Sequence, residues 1–315
     1  TSRHRVKEQI APACNVADLS ALTAQLPYEL TGAQKRAIEE IRRDMAGSVP
    51  MSRMIVGDVG CGKTVCAAAA MLFAVQSGYQ AALMAPTEIL ARQHAAELTE
   101  LFGRLGIRCE LLIGATSAAK KRQIKQALTA TDPDERLPVV IGTQALLSDG
   151  VEFAVPGLVV TDEQHRFGVG QRAALAKKAE NVHTLIMSAT PIPRTMALML
   201  FGDLEMSILD EMPPGRQKVS TFAVDESYRE RLNGFIRKQV EEGHQVYIVC
   251  PSVEESEKED ASEVFLSEIS EFGTVEQKPP LKAAVEYAKQ LQEVFCDYRV
   301  AFLHGKMKSG EKDAV

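Results

Sequence analysis

Short runs of apolar residues recur along the first two-thirds of the chain, separated by stretches with helical spacing of apolar and polar positions. The runs are Arg53–Val56, Ala81–Ala85, Cys109–Ile113, Val139–Gly142, Leu158–Thr161 and Thr184–Met187. The helical stretches between them include Lys63–Gln76, Glu88–Phe102 and Ala118–Leu128. A strand that faces water on one side alternates polar and apolar residues, whereas a strand covered on both faces is apolar throughout. The pattern therefore predicts an α/β fold, a doubly wound parallel sheet with helices on both faces.

The rhythm breaks at Asp210–Gln217, where two prolines and a glycine mark a linker. Beyond it the pattern predicts a helix near Tyr228–Glu242, a strand at Val246–Val249, a helix near Leu281–Val294 and a strand at Val300–Leu303. The acidic stretch Glu254–Glu276 between them is expected to be an exposed insertion. Residues 27–212 are expected to form one domain and 213–315 the start of a second, which has too few strands to close a core of its own. Residues 1–26 carry no motif and are expected to be a linker or tail of a domain upstream.

A chain of 315 residues with 45% hydrophobic residues suits two ordinary domains. Aromatic residues make up 5%, Trp is absent and the formal charge is −6. Those values argue against a base-stacking platform and against a protein whose sole task is to grip phosphates. Contact with nucleic acid, if made, is expected to be local or helped by a part of the protein outside these residues. The cysteines stand at 14, 61, 66, 109, 250 and 296, with no CxxC pair, which predicts reduced and mostly buried thiols in a cytoplasmic protein. No apolar run reaches membrane-spanning length, and residues 1–20 do not read as a signal peptide.

The chemistry begins at Gly57-Asp58-Val59-Gly60-Cys61-Gly62-Lys63-Thr64, which fits GxxxxGK[ST] between a strand and a helix. Glycines let the backbone wrap with its N–H groups turned inward at phosphate oxygens, and the following helix adds the positive end of its dipole. Lys63 is expected near the β- and γ-phosphates, and the Thr64 hydroxyl is a Mg²⁺ ligand candidate. Cys61 is expected to be a small residue that fits the loop; the alternative is a thiol activated by the helix N-terminus.

A second set of groups belongs with this loop. The strand Leu158–Thr161 runs into Asp162 and Glu163, placing two carboxylates at the C-terminal sheet edge where ligands bind. Asp162 is expected to hold Mg²⁺, directly or through water, and Glu163 to deprotonate the attacking water. Ser188 and Thr190, in Met187-Ser188-Ala189-Thr190-Pro191, can bond to that pair, although such residues also form plain turns. Gln34, in Leu30-Thr31-Gly32-Ala33-Gln34 ahead of an amphipathic helix, can read an adenine edge; elsewhere such a Gln is an ordinary surface residue.

Taken in order, the Gln motif, the phosphate loop, Pro86-Thr87-Glu88, Gly142-Thr143-Gln144, Asp162-Glu163-Gln164-His165 and Ser188-Ala189-Thr190 resemble the motif set of superfamily 2 helicases. More narrowly, residues 162–169 (DEQHRFGV), 187–195 (MSATPIPRT) and 210–216 (DEMPPGR) are similar to the RecG family, as are Val249-Cys250-Pro251 and His304-Gly305-Lys306-Met307-Lys308. The transcription-repair coupling translocases share the second of these stretches, but Gln164 and the Pro-Pro-Gly-Arg linker favour the former family.

The resemblance covers residues 26–315 and implies a RecA-like, P-loop NTPase sheet followed by a second, incomplete RecA-like domain. It implies ATP and Mg²⁺ as cofactors, branched double-stranded DNA such as forks and Holliday junctions as partner, and a monomer in the bacterial cytoplasm near the nucleoid. Gln34 and residues 57–64 would bind the nucleotide, with Lys63, Asp162 and Glu163 catalytic. Gln164, His165, Ser188 and Thr190 would couple hydrolysis to movement. Pro86, Thr87 and Arg92, with Gly142, Thr143 and Gln144, would lie on the DNA track. The family's wedge domain and its later motifs, with their arginines, are not among these residues, so the chain alone is expected to bind ATP and hydrolyse it poorly. Two other readings stay open: a translocase that displaces a protein partner, and a nucleotide-gated DNA clamp without useful turnover. A metabolic P-loop kinase is disfavoured because it does not need the Asp-Glu-Gln-His and Ser-Ala-Thr sets in this order.

Overall fold

The computed structural model describes residues 11–16, 18–148, 150–162, 181–189, 204–213, 219–250, 284–305, 307 and 309–315. By its own contacts the chain divides into two compact units, Thr1–Lys218 and Val219–Val315.

The first unit is built on a seven-stranded sheet: β1 (Ser52–Gly57), β2 (Gln80–Met84), β3 (Cys109–Leu112), β4 (Val139–Gly142), β5 (Pro156–Asp162), β6 (His183–Ser188) and β7 (Glu205–Leu209). Its spatial order is β3-β4-β2-β5-β6-β1-β7, and every adjacent pair is parallel. Helices α1 (Ser20–Thr23), α2 (Gly32–Met45), α3 (Lys63–Gln76), α4 (Glu88–Arg104) and α5 (Ala118–Thr129) accompany it. This is the doubly wound α/β sheet that the apolar runs predict.

The strands read as continuous apolar runs because both faces are covered. Ala81 and Leu83 of β2 enter the larger core with α2, α3 and α4, while Ala82 and Met84 enter a second core with Ile124 and Leu128 of α5. Successive side chains point to opposite faces, so a strand between two cores has no polar position to spare. Helix α3 is the deepest: every residue from Val65 to Ala74 is buried, and its run of small alanines lets it press against the sheet.

Strand β7 was not foreseen. It lies at the sheet edge beside β1, and Ile208 is 61% exposed there, so its pattern mixes inside and outside residues. A polar network fastens it. Arg53, almost wholly buried, donates to Glu40 Oε2 (3.0 Å), Asp44 Oδ2 (2.8 Å) and Ser207 Oγ (2.8 Å), joining β1, α2 and β7.

Residues 11–16 and 18–26, expected as part of a tail, pack onto the first unit. Cys14 and Leu22 join its main core. Ala11 N donates to Ser48 O and Cys14 N to Met45 O. Gln76 exchanges two bonds with Asp18 across 58 positions. His183 on β6 accepts from Met51 N at Nδ1 (2.9 Å) and donates from Nε2 to Pro12 O (2.7 Å). The segment is thus a strap bonded to the domain, with partners too distant in sequence for periodicity to reveal.

In the second unit helices Arg229–Glu241 and Ala284–Val294 form where helices were expected, and Ile236, Leu291 and Phe295 make a small core. The strands expected at Val246–Val249 and Val300–Leu303 are not formed: both stretches are irregular, and no strand of this unit occurs among the described residues. Tyr247 and Val249 are largely exposed. A β-strand needs a neighbour to receive its backbone hydrogen bonds, and β-propensity alone did not supply one. The acidic stretch 254–276 lies outside the described residues.

Candidate active site

The phosphate loop grows out of β1 and ends in α3. Gly60 and Gly62 adopt φ of 84° and 88°, in the left-handed region that side chains disfavour. Gly62 occupies the N-cap position of α3, so the loop turns directly into the helix, whose first N–H groups have no partner within it. Lys63 folds back over the loop, with Nζ donating to Gly57 O (2.6 Å) and Asp58 O (3.1 Å). Thr64, half-buried in the first turn, follows it.

Gln34 closes the loop from the side. It forms a capping box with Thr31, accepting from Thr31 N (2.9 Å) while its own N–H donates to Thr31 Oγ1. Its amide nitrogen then donates to Cys61 O (2.9 Å), and the residue is 1% exposed. A Cβ on Gly62 would lie 2.1 Å from that nitrogen. Gln34 therefore braces the phosphate loop. Leu30 and Lys35, flanking the capping box, help line an open cavity of about 510 Å³ with Thr23, Leu26, Pro27, Tyr28 and Glu29.

Cys61 is the small residue that fits. Its thiol is fully buried, and desolvation pushes its pKa up, opposed by the Lys63 charge. The activated-thiol alternative is set aside. Burial likewise raises Cys14 and Cys109 to about 11 and Cys66 to about 12, and all six cysteines are free thiols.

The sheet register brings the second set to the same edge. Val56 pairs with Ser188, and Met187 pairs with Asp162, so the ends of β1, β6 and β5 stand level. With β6 between them, β1 and β5 are two strand spacings apart, roughly 10 Å. Ser188, buried, sits midway between the loop and Asp162. Thr64 and Asp162 offer hard oxygen donors suited to Mg²⁺.

Asp162 is 9% exposed, and Oδ2 lies 2.9 Å from Nε2 of His94 on α4. Sequence reasoning passed over His94, which stands 68 positions away. The available signal was a lone polar residue on a helix face otherwise formed by Ala91, Ala95, Leu98 and Phe102.

On the other half of the edge, Met84 pairs with both Thr161 and Gly142. The turns after β2 and β4 therefore emerge side by side, with Pro86 and Thr87 in one and Thr143 and Gln144 in the other. The Thr87 hydroxyl caps α4 by accepting from Leu90 N (3.3 Å), and Thr143 caps the short 3-10 turn Gln144–Leu147. Gly142 is required by space, since a Cβ would come within 2.2 Å of Leu112 O. Arg92 and Gln144 are exposed. Glu163, Gln164, His165 and Thr190 lie outside the described residues.

Residues 31–199 match the family model described as DEAD/DEAH box helicase. The chain is 47% identical over 291 residues to the ATP-dependent DNA helicase RecG of Synechocystis sp., covering 92% of this chain and 32% of that protein. It is 45% identical to that of Thermotoga maritima (92% and 34%) and 40% identical to that of Escherichia coli O157:H7 (93% and 40%). The chain thus spans about a third of the length of these curated relatives. Among solved structures, one of RecG bound to a three-way DNA junction aligns with a TM-score of 0.64 and 42% identity over 80% of this chain and 33% of that one. The DEAD-box helicase Mss116 shares the fold, with a TM-score of 0.52 at 19% identity over 71% of this chain and 50% of that one.

Proposed function

The chain belongs to the DEAD/DEAH-box helicase family, and from that premise we propose that it is the ATP-binding part of a RecG-type motor that remodels branched DNA, such as stalled forks and recombination junctions, in repair and recombination. One observation carries this reading: the phosphate loop, Ser188 and Asp162 stand level at one sheet edge, and the capped turns at Thr87 and Thr143 emerge on the other half of that edge.

Residues 57–64 would cradle the triphosphate of ATP. Lys63 would leave the carbonyls of Gly57 and Asp58 for the β- and γ-phosphates. The base would enter the cavity next to the Thr31 cap, where Gln34 would turn its amide to the adenine edge. Thr64 and Asp162 would hold Mg²⁺, which when bound screens the charge of the phosphate oxygens. Glu163 would take the proton of the attacking water. Ser188 and Thr190, with Gln164 and His165, would relay the state of the γ-phosphate to the second unit. Pro86, Thr87, Arg92, Gly142, Thr143 and Gln144 would grip the DNA backbone, through hydroxyls, loop N–H groups and one cation, which suits a chain of net charge −6. Hydrolysis would then drive a cycle of domain closing and opening about the linker at 213–216. The protein would work as a monomer in the cytoplasm of a bacterium, associated with the nucleoid.

The test is ATP turnover of the intact protein with and without a synthetic fork, beside Glu163→Gln. Stimulation by the fork that is lost in the variant supports the motor and its base together. Turnover indifferent to DNA, or unchanged by the substitution, refutes one or the other.

A further inference from the structure

His94 is a buried polar residue on an apolar helix face, and the hydrogen bond it makes among the described residues points at the chemistry. Nε2 is 2.9 Å from Asp162 Oδ2, and both residues are 9% exposed. Its other ring nitrogen, Nδ1, is buried and has no hydrogen-bond partner among the described residues. A histidine kept for structure normally bonds through both nitrogens, as His183 does to Met51 and Pro12. An N–H on Nδ1 of His94 would be buried without an acceptor, so the ring suits the tautomer that carries its hydrogen on Nε2 and donates it to Asp162. A carboxylate at a strand end rotates freely unless a donor fixes its plane. Metal-holding carboxylates are commonly fixed by such an outer partner, and losing the partner costs metal affinity.

We propose that His94 is a positioning residue for Asp162: its Nε2–H holds Oδ2 and leaves Oδ1 turned to the divalent cation of the nucleotide complex. The inference rests on the reading of Asp162 as the metal carboxylate. It explains why the face of α4 that packs on the sheet gives up an apolar position at 94 while 91, 95, 98 and 102 stay apolar. The other buried members of that face, Ala91, Ala95, Leu98 and Phe102, carry no side-chain group that could bond to Asp162 in its place.

The experiment titrates Mg²⁺ against binding of a fluorescent ATP analogue to the intact protein, with a parallel series in chelator. The variants are His94→Ala, His94→Gln, His94→Asn and Asp162→Asn, each checked by thermal unfolding. In His94→Ala the Mg²⁺ concentration for half-maximal binding should rise about tenfold or more, while metal-free nucleotide affinity stays within about twofold of the parent. His94→Gln should recover most of the loss, because its terminal amide nitrogen reaches the place of Nε2; His94→Asn, whose amide falls at the place of Nδ1, should not. If His94→Ala does not fold, the contrast between Gln and Asn decides. An unchanged Mg²⁺ requirement in His94→Ala, an equal loss with and without metal, or equal behaviour of Gln and Asn overturns the proposal. Asp162→Asn separates the layers: if it alone raises the Mg²⁺ requirement, only the role of His94 fails; if it too leaves the requirement unchanged, the assignment of Asp162 fails and the proposal with it.

Discussion

Gly62→Ala should lower folding stability through two separable effects. The first is backbone strain. Position 62 has φ of 88°, and the left-handed region costs a residue with a Cβ about 1–2 kcal/mol. The second is collision, because the new methyl carbon would stand 2.1 Å from Gln34 Nε2. That atom is not a free end: the same amide donates to Cys61 O and accepts from Thr31 N. Moving it gives up two hydrogen bonds worth about 1 kcal/mol each. Together the terms reach about 3–4 kcal/mol of folding stability. In a Gln34→Ala background the collision is gone and its bonds are already lost, so only strain remains and Gly62→Ala should cost about 1–2 kcal/mol. Chemical denaturation of the parent, both single variants and the double variant measures the coupling, expected near about 2 kcal/mol. Equal costs in the two backgrounds would refute the claim that Gln34 fills the space over Gly62.

Three further outcomes are expected. Arg53→Ala strands Asp44 and leaves Glu40 with the Ser207 hydroxyl alone; because those carboxylates keep some access to water, the loss should fall near 2 kcal/mol, with Arg53→Met milder, and a change under about 0.5 kcal/mol in chemical denaturation would contradict the network's role. Desolvation lowers the pKa of His183, so the unfolded chain takes up a proton that the folded chain refuses. Stability should therefore hold above about pH 6.5 and fall as pH drops from there toward the folded value, with a flatter pH–Tm curve in His183→Gln; a curve of equal slope would show that His183 stays uninvolved. A thiol reagent should label exposed Cys296 first and Cys61, Cys14 and Cys66 slowly, and mass spectrometry that finds Cys61 labelled at the rate of an unfolded peptide would contradict its burial.

The parallel sheet was legible because its central strands are covered on both faces and so spell themselves as unbroken apolar runs. Strand β7 was not, since an edge strand with Ile208 outside carries neither an unbroken run nor a clean alternation. The phosphate loop and Asp162 could be read locally, as each needs only its own strand and the turn after it. The His94–Asp162 contact and the strap through Pro12 and His183 join positions 68 and 171 residues apart, and no local pattern encodes such a pairing. In the second unit, composition at 246–249 and 300–303 suits strands, but a strand is a relation between two segments, and no partner is among the described residues.

The position of Lys63 has a further consequence for which anions the loop can hold. Its ammonium is already held by two carbonyls of the loop it serves, so the loop offers no bare cation to passing anions. A single phosphate or sulfate that draws Lys63 away must repay both bonds with one small contact surface. A nucleoside triphosphate repays them several times over, along the whole arc from Asp58 to Thr64. On the proposed reading the lysine would work as a latch as well as a ligand, favouring ATP over the everyday small anions of the cell.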